Sequence, residues 1–263
     1  MSFLNKVVII TGAGSGIGRA NAVQFAKQSA TLSLVDINGD NLHKVAEECR
    51  KLSKAKVLEV VADLSKDVDA KRAVDNTMKE FSKINVLVNV AGIFGDKGIL
   101  DPDLLSVLDK VMSVNLRSTI AMVHYAAPAL IESKGCVVNT ASVMAKIVCK
   151  GSIPYNVSKA AIAYFTKNVA MDLADKGVRV NSISPGPVET NIALHAGISQ
   201  EVNDAVFASY AKFVPLQHNI EATEVAEMAV YLASDKARSI TGSDFVIDSG
   251  LALSGLASGN MLL

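Results

Sequence analysis

Short apolar runs recur along the chain, with longer amphipathic segments between them. The runs are KVVIIT (6–11), TLSLVD (31–36), AKVLEVVAD (55–63), INVLVNVAG (84–92), GCVVNTAS (135–142), VRVNSISPG (178–186) and SDFVIDSG (243–250). Several are rich in valine and isoleucine and lack polar alternation, as strands covered on both faces do. Segments 16–29, 39–53, 67–82, 103–132, 154–176 and 222–234 are long enough for helices. Strand–helix alternation of this kind predicts an α/β domain, a doubly wound parallel sheet of about seven strands. No linker or low-complexity stretch divides the chain, so one domain is expected over 1–263. In such sheets ligands sit beyond the C-terminal strand ends, so functional residues are expected directly after the strands.

The strand ends meet that demand. TGAGSGIGRA (11–20) follows the first run, with Gly12, Gly16 and Gly18 opening a helix. Glycines there let a pyrophosphate approach backbone N–H groups at a helix N-terminus, as in Rossmann-like folds. The spacing is G-x-x-x-G-x-G rather than G-x-G-x-x-G. Asp36 ends the second run, where an acid accepts hydrogen bonds from an adenosine ribose and repels a 2′-phosphate. Ile37 follows it, and Ser15 stands where a basic side chain could hold that phosphate, so the reading is NAD rather than NADP. Asp63 ends the third run as a candidate partner for the adenine amino group. NVAG (89–92) ends the fourth, TAS (140–142) the fifth and SPGPVET (184–190) the sixth.

The segment IPYNVSKAAIAYF (153–165) poses a separate question. Pro154 suits a first helical turn. Tyr155 and Lys159, four apart, then share one helix face. Together with the preceding motifs, this segment makes the chain resemble the short-chain dehydrogenase/reductase family. The motifs in order are TGAGSGIG (11–18), NVAG (89–92), Ser142, YNVSK (155–159) and PG (185–186), with Asn115 in MSVNLRS (112–118). The resemblance runs from Lys6 to about Gly250. It implies an Asn115–Ser142–Tyr155–Lys159 catalytic set. Tyr155 is then the acid/base for an alcohol proton, and Lys159 the cation that favours phenolate and binds the nicotinamide ribose. Ser142 binds the substrate oxygen, and Asn115 holds a water linking Lys159 to solvent. Cofactor contacts are implied for Gly12, Ser15, Gly16, Ile17, Gly18, Asp36, Asp63, Asn89, Ala91, Gly92, Pro185 and Gly186. Val188 and Thr190 are implied to anchor the carboxamide and pyrophosphate. Two departures stand out: Val90 where the family most often has asparagine, and IDSG (247–250) where it has VDGG.

Composition narrows the remaining choices. Lys plus Arg and Asp plus Glu both number 26, and no basic run suggests nucleic acid or an anionic membrane. Cys49, Cys136 and Cys149 lack metal-ligand spacing and suggest reduced thiols, so no metal and a cytoplasmic setting are expected. With five residues ahead of the first run, no leader is expected. The expected substrate walls, Ile93, Phe94, Val143, Met144, Ile147 and Cys149, are mostly apolar. So are Ile192, Leu194, Phe207 and Tyr210 in a segment, 190–220, expected to form short helices as a mobile lid. A neutral or hydrophobic secondary alcohol or ketone is the expected substrate. Lys146 and Lys150 are expected to be solvated and His195 to belong to the lid. The resemblance implies a homotetramer, or a dimer. A non-catalytic NAD-binding regulator of the same fold is the alternative.

Overall fold

The computed structural model describes residues 2–53, 56–190 and 199–254. Its strands are β1 (Val7–Thr11), β2 (Thr31–Asp36), β3 (Val57–Val61), β4 (Val86–Asn89), β5 (Cys136–Thr140), β6 (Arg179–Pro185) and β7 (Asp244–Ile247). They form a single sheet in the order β3-β2-β1-β4-β5-β6-β7, every neighbouring pair parallel. The order reverses between β1 and β4, which places the crevice for a ligand above those two strands. This is the doubly wound α/β architecture that the apolar runs predict, each strand falling within its run.

The pleat sorts the side chains onto two cores. Val8, Ile10, Leu32 and Leu34 face one side, with α1 (Gly16–Lys27), α2 (Gly39–Leu52) and a later helix, Ala222–Ala233. Ile9, Val35, Leu87 and Val137 face the other, with α3 (Asp67–Phe81) and the helices between β4 and β6. Burial on both faces explains why these strands read as continuous apolar runs rather than alternating ones. Cys49, Cys136 and Cys149 carry no disulfide. Burial pushes the Cys49 thiol up to about 12 and Cys136 to about 11.

Two helical segments differ from expectation. The helix expected over 103–132 is α4 (Leu104–Val111), then a π-helical stretch, Met112–Arg117, then α5 (Ser118–Ser133). The widened turn shows in the Ser118 N–H, which donates to the Ser113 carbonyl five residues back. α6 (Ile153–Leu173) begins with Pro154 in its first turn, as the sequence predicts. In the expected lid, residues 199–220 hold one helix, α7 (Gln200–Phe213), rather than several short ones. Ile192, Leu194 and His195 lie outside the described residues. The chain then returns through an isolated bridge between Val188 and Ile220 to α8 (Ala222–Ala233). Among the described residues no helix is long and apolar enough to cross a membrane.

Candidate active site

A cavity of about 880 Å³ opens at the C-terminal ends of the strands. Its floor is the turn after β1. A Cβ on Gly18 would lie 1.9 Å from the Gly12 carbonyl oxygen, so the first turn of α1 fits under the loop only without a side chain. Gly12 itself has φ +65°, and a Cβ there would stand 2.9 Å from the Ala91 backbone. The loop and the end of β4 are therefore in backbone contact. Thr11 Oγ1 secures that contact by accepting hydrogen bonds from the Val90 N–H (3.0 Å) and Ala91 N–H (3.2 Å). Val90 packs against the first core, so the departure from asparagine leaves this junction intact.

Asp36, at the end of β2, lines the cavity with its carboxylate fixed on both oxygens. One accepts from the Gly14 N–H at 2.8 Å and the other from the Asn38 N–H at 2.8 Å. Arg19 lines a neighbouring groove instead, its guanidinium held by Glu48 through two bonds of 2.9 Å. Asp63 also lines the cavity. The hydroxyl and backbone N–H of Ser65 hold its carboxyl below the usual range, with Lys66 adding to the effect. Ser15, Gly16, Ile17, Ala91, Gly92, Pro185, Gly186, Val188 and Thr190 complete the predicted lining. Asn89 does not belong to it. The pleat turns its side chain into the sheet, where Nδ2 donates to Asn139 Oδ1 at 2.9 Å. Asn139 in turn donates to Thr166 Oγ1 at 2.9 Å, coupling β4 and β5 to α6.

Ser142, Tyr155 and Lys159 meet at one end of the same cavity. Lys159 is 3 % exposed and sits 5.6 Å from the Tyr155 ring centroid, Nζ donating to the Thr140 carbonyl at 2.9 Å. Burial lowers its pKa to about 8. Burial raises the Tyr155 phenol, and a hydrogen bond with Ser142 acts against that rise. Both shifts favour uncharged forms, as expected when charged groups leave water. Ser142 also caps the short 3-10 helix that follows it, accepting from the Met144 N–H at 3.2 Å. Phe94 packs on the Tyr155 ring with centroids 5.0 Å apart.

Asn115 is placed differently from the expectation. It is fully buried behind the cavity rather than lining it. Its Oδ1 accepts from the Ile93 N–H at 2.7 Å, while Nδ2 donates to the Ile93 carbonyl and to Ser158 Oγ, both at 3.0 Å. The side chain thus clamps the loop after β4 to α6, the helix carrying Tyr155 and Lys159. Gly92 permits the approach: a Cβ there would come within 3.2 Å of Asn115 Oδ1 and 3.6 Å of Lys159 Nζ.

On the substrate side, Ile93, Phe94, Val143, Met144, Phe207 and Tyr210 line the cavity as expected, while Ile147 and Cys149 do not. Lys146 is not a free loop lysine. Its Nζ pairs at 2.9 Å with Asp244, whose side chain is 8 % exposed and accepts from Ser182 and Ser184 at 2.8 Å. That pair ties the loop after Ser142 to β7. Lys150 is exposed and outside the lining. Sequence reasoning missed Asn203 and Val206, which line the cavity from α7. The signal was present: 203, 206, 207 and 210 form one helical stripe.

The comparisons with known proteins agree with this geometry. A family model described as Enoyl-(Acyl carrier protein) reductase matches residues 12–252. The 2-(R)-hydroxypropyl-CoM dehydrogenase of Xanthobacter autotrophicus is 34% identical over 248 residues, 93% of this chain and 98% of that protein. The cyclohexanol dehydrogenase of an Acinetobacter species is 32% identical over 247 residues, covering 94% of each. Levodione reductase superposes with a TM-score of 0.90 at 31% identity, covering 95% of this chain and 99% of that one. A 7α-hydroxysteroid dehydrogenase complexed with NADH and 7-oxo glycochenodeoxycholic acid gives 0.87 at 27% identity, covering 95% of each chain. The chain belongs to the short-chain dehydrogenase/reductase family.

Proposed function

We propose that this protein transfers hydride between NAD(H) and a neutral or hydrophobic secondary alcohol or ketone, with Tyr155 as acid/base. The observation that carries the reading is the convergence of Tyr155, Ser142 and Lys159 on the cavity floored by the glycine turn and edged by Asp36. The related dehydrogenases and reductases support the reaction class, and the NADH complex of the hydroxysteroid dehydrogenase supports a nicotinamide cofactor.

The residues present suit a dinucleotide. Gly12, Ser15, Gly16, Ile17 and Gly18 offer backbone close to a pyrophosphate at the N-terminus of α1. Val188 and Thr190 also line the cavity, Thr190 against Gly16, and would anchor the carboxamide and pyrophosphate, with Asp63 taking the adenine. The choice of NAD over NADP rests on Asp36. Its carboxylate is fixed by two backbone N–H groups, and Arg19, the basic residue in the first turn of α1, is engaged by Glu48. A 2′-phosphate would meet a negative charge there.

NAD, when bound, supplies the hydride acceptor and, in its oxidised form, a positive charge. The chain does the rest. Tyr155 as the phenolate, its charge offset by Lys159, takes the alcohol proton at its phenolic oxygen and is left as the neutral phenol. Ser142 donates to the substrate oxygen where charge develops. Asn115 is a positioning residue, holding Ile93 and α6 in register. Exposed apolar positions on α6, Tyr164 at 69% and Met171 at 81%, support a homotetramer. Solution scattering that returns a monomer's mass would remove that part of the reading.

The test is NADH formation from NAD across steroids, hydroxy acids, polyols and simple hydrophobic alcohols, with Tyr155→Phe run alongside. Turnover abolished in the variant is the expected result. Silence across the panel with NADH still bound would instead make the protein a cofactor-binding regulator.

A further inference from the structure

The four cavity-lining residues of α7 are Asn203, Val206, Phe207 and Tyr210, spaced i, i+3, i+4 and i+7 on one face. Three of them present carbon or an aromatic ring, and the fourth is a carboxamide. Asn203 is only 7% exposed. Its backbone N–H donates to the Ser199 carbonyl in the helix start. Among the described residues no side-chain hydrogen bond engages its amide, which is not sealed in the core but lines the cavity. An amide on an apolar cavity wall, with no protein group to bond, stays hydrogen-bonded only through what fills the cavity, water or a ligand, where a leucine would need neither. An apolar stripe broken by one such amide therefore points to a ligand that supplies the missing partner.

The stripe belongs to the substrate end of the cavity. Val214, at the C-terminal end of α7, packs in a small apolar cluster with Val143 and Leu251, and Met144 joins it. Val143 and Met144 directly follow Ser142. Tyr210 lies near Cys149 in the same loop; its phenol is raised by burial and further by that thiol. The α7 face is thus tied to the loop that carries the substrate-binding serine rather than to the glycine turn and Asp36.

We infer that Asn203 is a specificity-determining residue, and that the substrate carries a second oxygen, a hydroxyl or carbonyl, on an otherwise apolar skeleton. This rests on the hydride-transfer reading above. The reacting oxygen is held by Ser142 and Tyr155, the carbon skeleton by Val143, Met144, Val206 and Phe207, and the second oxygen by the Asn203 carboxamide. An amide both donates and accepts, so it serves a hydroxyl or a carbonyl equally. A site built around such a bond discriminates strongly against the analogue that lacks it.

The probes are the hydroxycyclohexanone isomers against the methylcyclohexanones of the same substitution, which match them in size. Each is titrated calorimetrically into the NADH complex of the full chain, and its reduction is followed separately. In the wild type at least one hydroxyketone binds about tenfold or more tightly than its methyl partner. Asn203→Leu abolishes that preference while binding methylcyclohexanones at least as well and NADH unchanged. Asn203→Gln or Asn203→Ser retains part of it. No preference in the wild type, binding of neither class, or a preference that survives Asn203→Leu overturns the assignment. Weaker NADH binding in Asn203→Leu with the preference intact would make Asn203 a cofactor contact and also overturn it. The two readings fail separately. Reduction of methylcyclohexanones without a hydroxyl preference sinks only this inference, whereas preferential binding without reduction sinks only the hydride transfer.

Discussion

The cofactor half of the cavity and the substrate half are built by different means. The first is backbone against backbone: Gly18 under the Gly12 carbonyl, Gly12 against Ala91, Thr11 gripping two N–H groups of the next strand end. The second is side chain against side chain, on loops and on one helix stripe. Its fixed points are the Lys146–Asp244 pair and the Val143–Val214–Leu251 cluster. A wall made of backbone admits one ligand shape and tolerates almost no substitution. A wall made of side chains is reshaped by single changes, which suits a surface that sets substrate choice. Tyr155, Ser142 and Lys159 stand at the seam between the two.

This contrast can be broken or sharpened by substitution, taken on a common free-energy scale from the largest effect. At the seam, Tyr155→Phe lowers kcat by about a thousandfold. The NADH Kd, read by fluorescence titration, stays within about twofold; a larger change would put Tyr155 in the cofactor wall. In the backbone-built half, Gly18→Ala costs about 3 kcal/mol of unfolding free energy or prevents folding. Phe207→Ala, its counterpart on α7, shifts stability by less than about 1 kcal/mol while raising KM. Equal denaturation midpoints for the two would erase the distinction.

Lys159→Met probes what the seam sacrifices for chemistry. Lys159 falls from the usual 10.5 to about 8, a cost on the order of 3 kcal/mol when it is charged. The folded state binds this proton more weakly than the unfolded chain does. Wild-type stability therefore rises with pH between about 8 and 10.5. The variant, inactive but without the buried charge, is more stable at pH 7, and its advantage shrinks across that window. Thermal midpoints at a series of pH values check the sign. Asp36→Ser shifts the NAD-to-NADP preference by about tenfold toward NADP in kcat/KM. The smallest effect is expected from Ser249→Gly. Ser249 has φ +50°, a left-handed conformation awkward for a side chain. Glycine there stabilises by about 0.5–1 kcal/mol in urea denaturation. A destabilised glycine variant would mean the serine side chain contributes a bond of its own.

Much of the backbone-built half was legible in the sequence, because strands buried on both faces leave unbroken valine and isoleucine runs whose ends are easy to find. Asn89 misled for a reason found in the same pleat. It shares a strand face with Leu87 rather than with Val86 and Val88, so its amide turns toward Asn139 and Thr166 instead of the cavity. Asn115 belonged with the site, but the motif carried no sign that its side chain would be consumed by Ile93 and Ser158. Lys146 looked solvated because its acid partner, Asp244, is almost a hundred residues away and joins it only through the sheet. Asn203 needed knowledge that its helix faces a cavity, which amphipathic spacing alone does not supply. The π-helical stretch left no mark, since its apolar positions fit an ordinary helix.

That stretch has a consequence for how lineages of this chain tolerate insertions and deletions. A π turn is an α-helix with one residue too many. Removing any single residue from 112–117 would let the segment relax to regular α geometry and would cost little in local backbone bonding. Because the widened turn already absorbs the rotation of its surplus residue, the flanking helices would keep their relative orientation, and only the residues inside the stretch would be re-aimed. Asn115 and Val111 would no longer face the loop and the core together. The surplus residue is therefore a register mark: the helix can be lengthened or trimmed at its solvent ends, but between Met112 and Arg117 its length is locked to the position of Ile93.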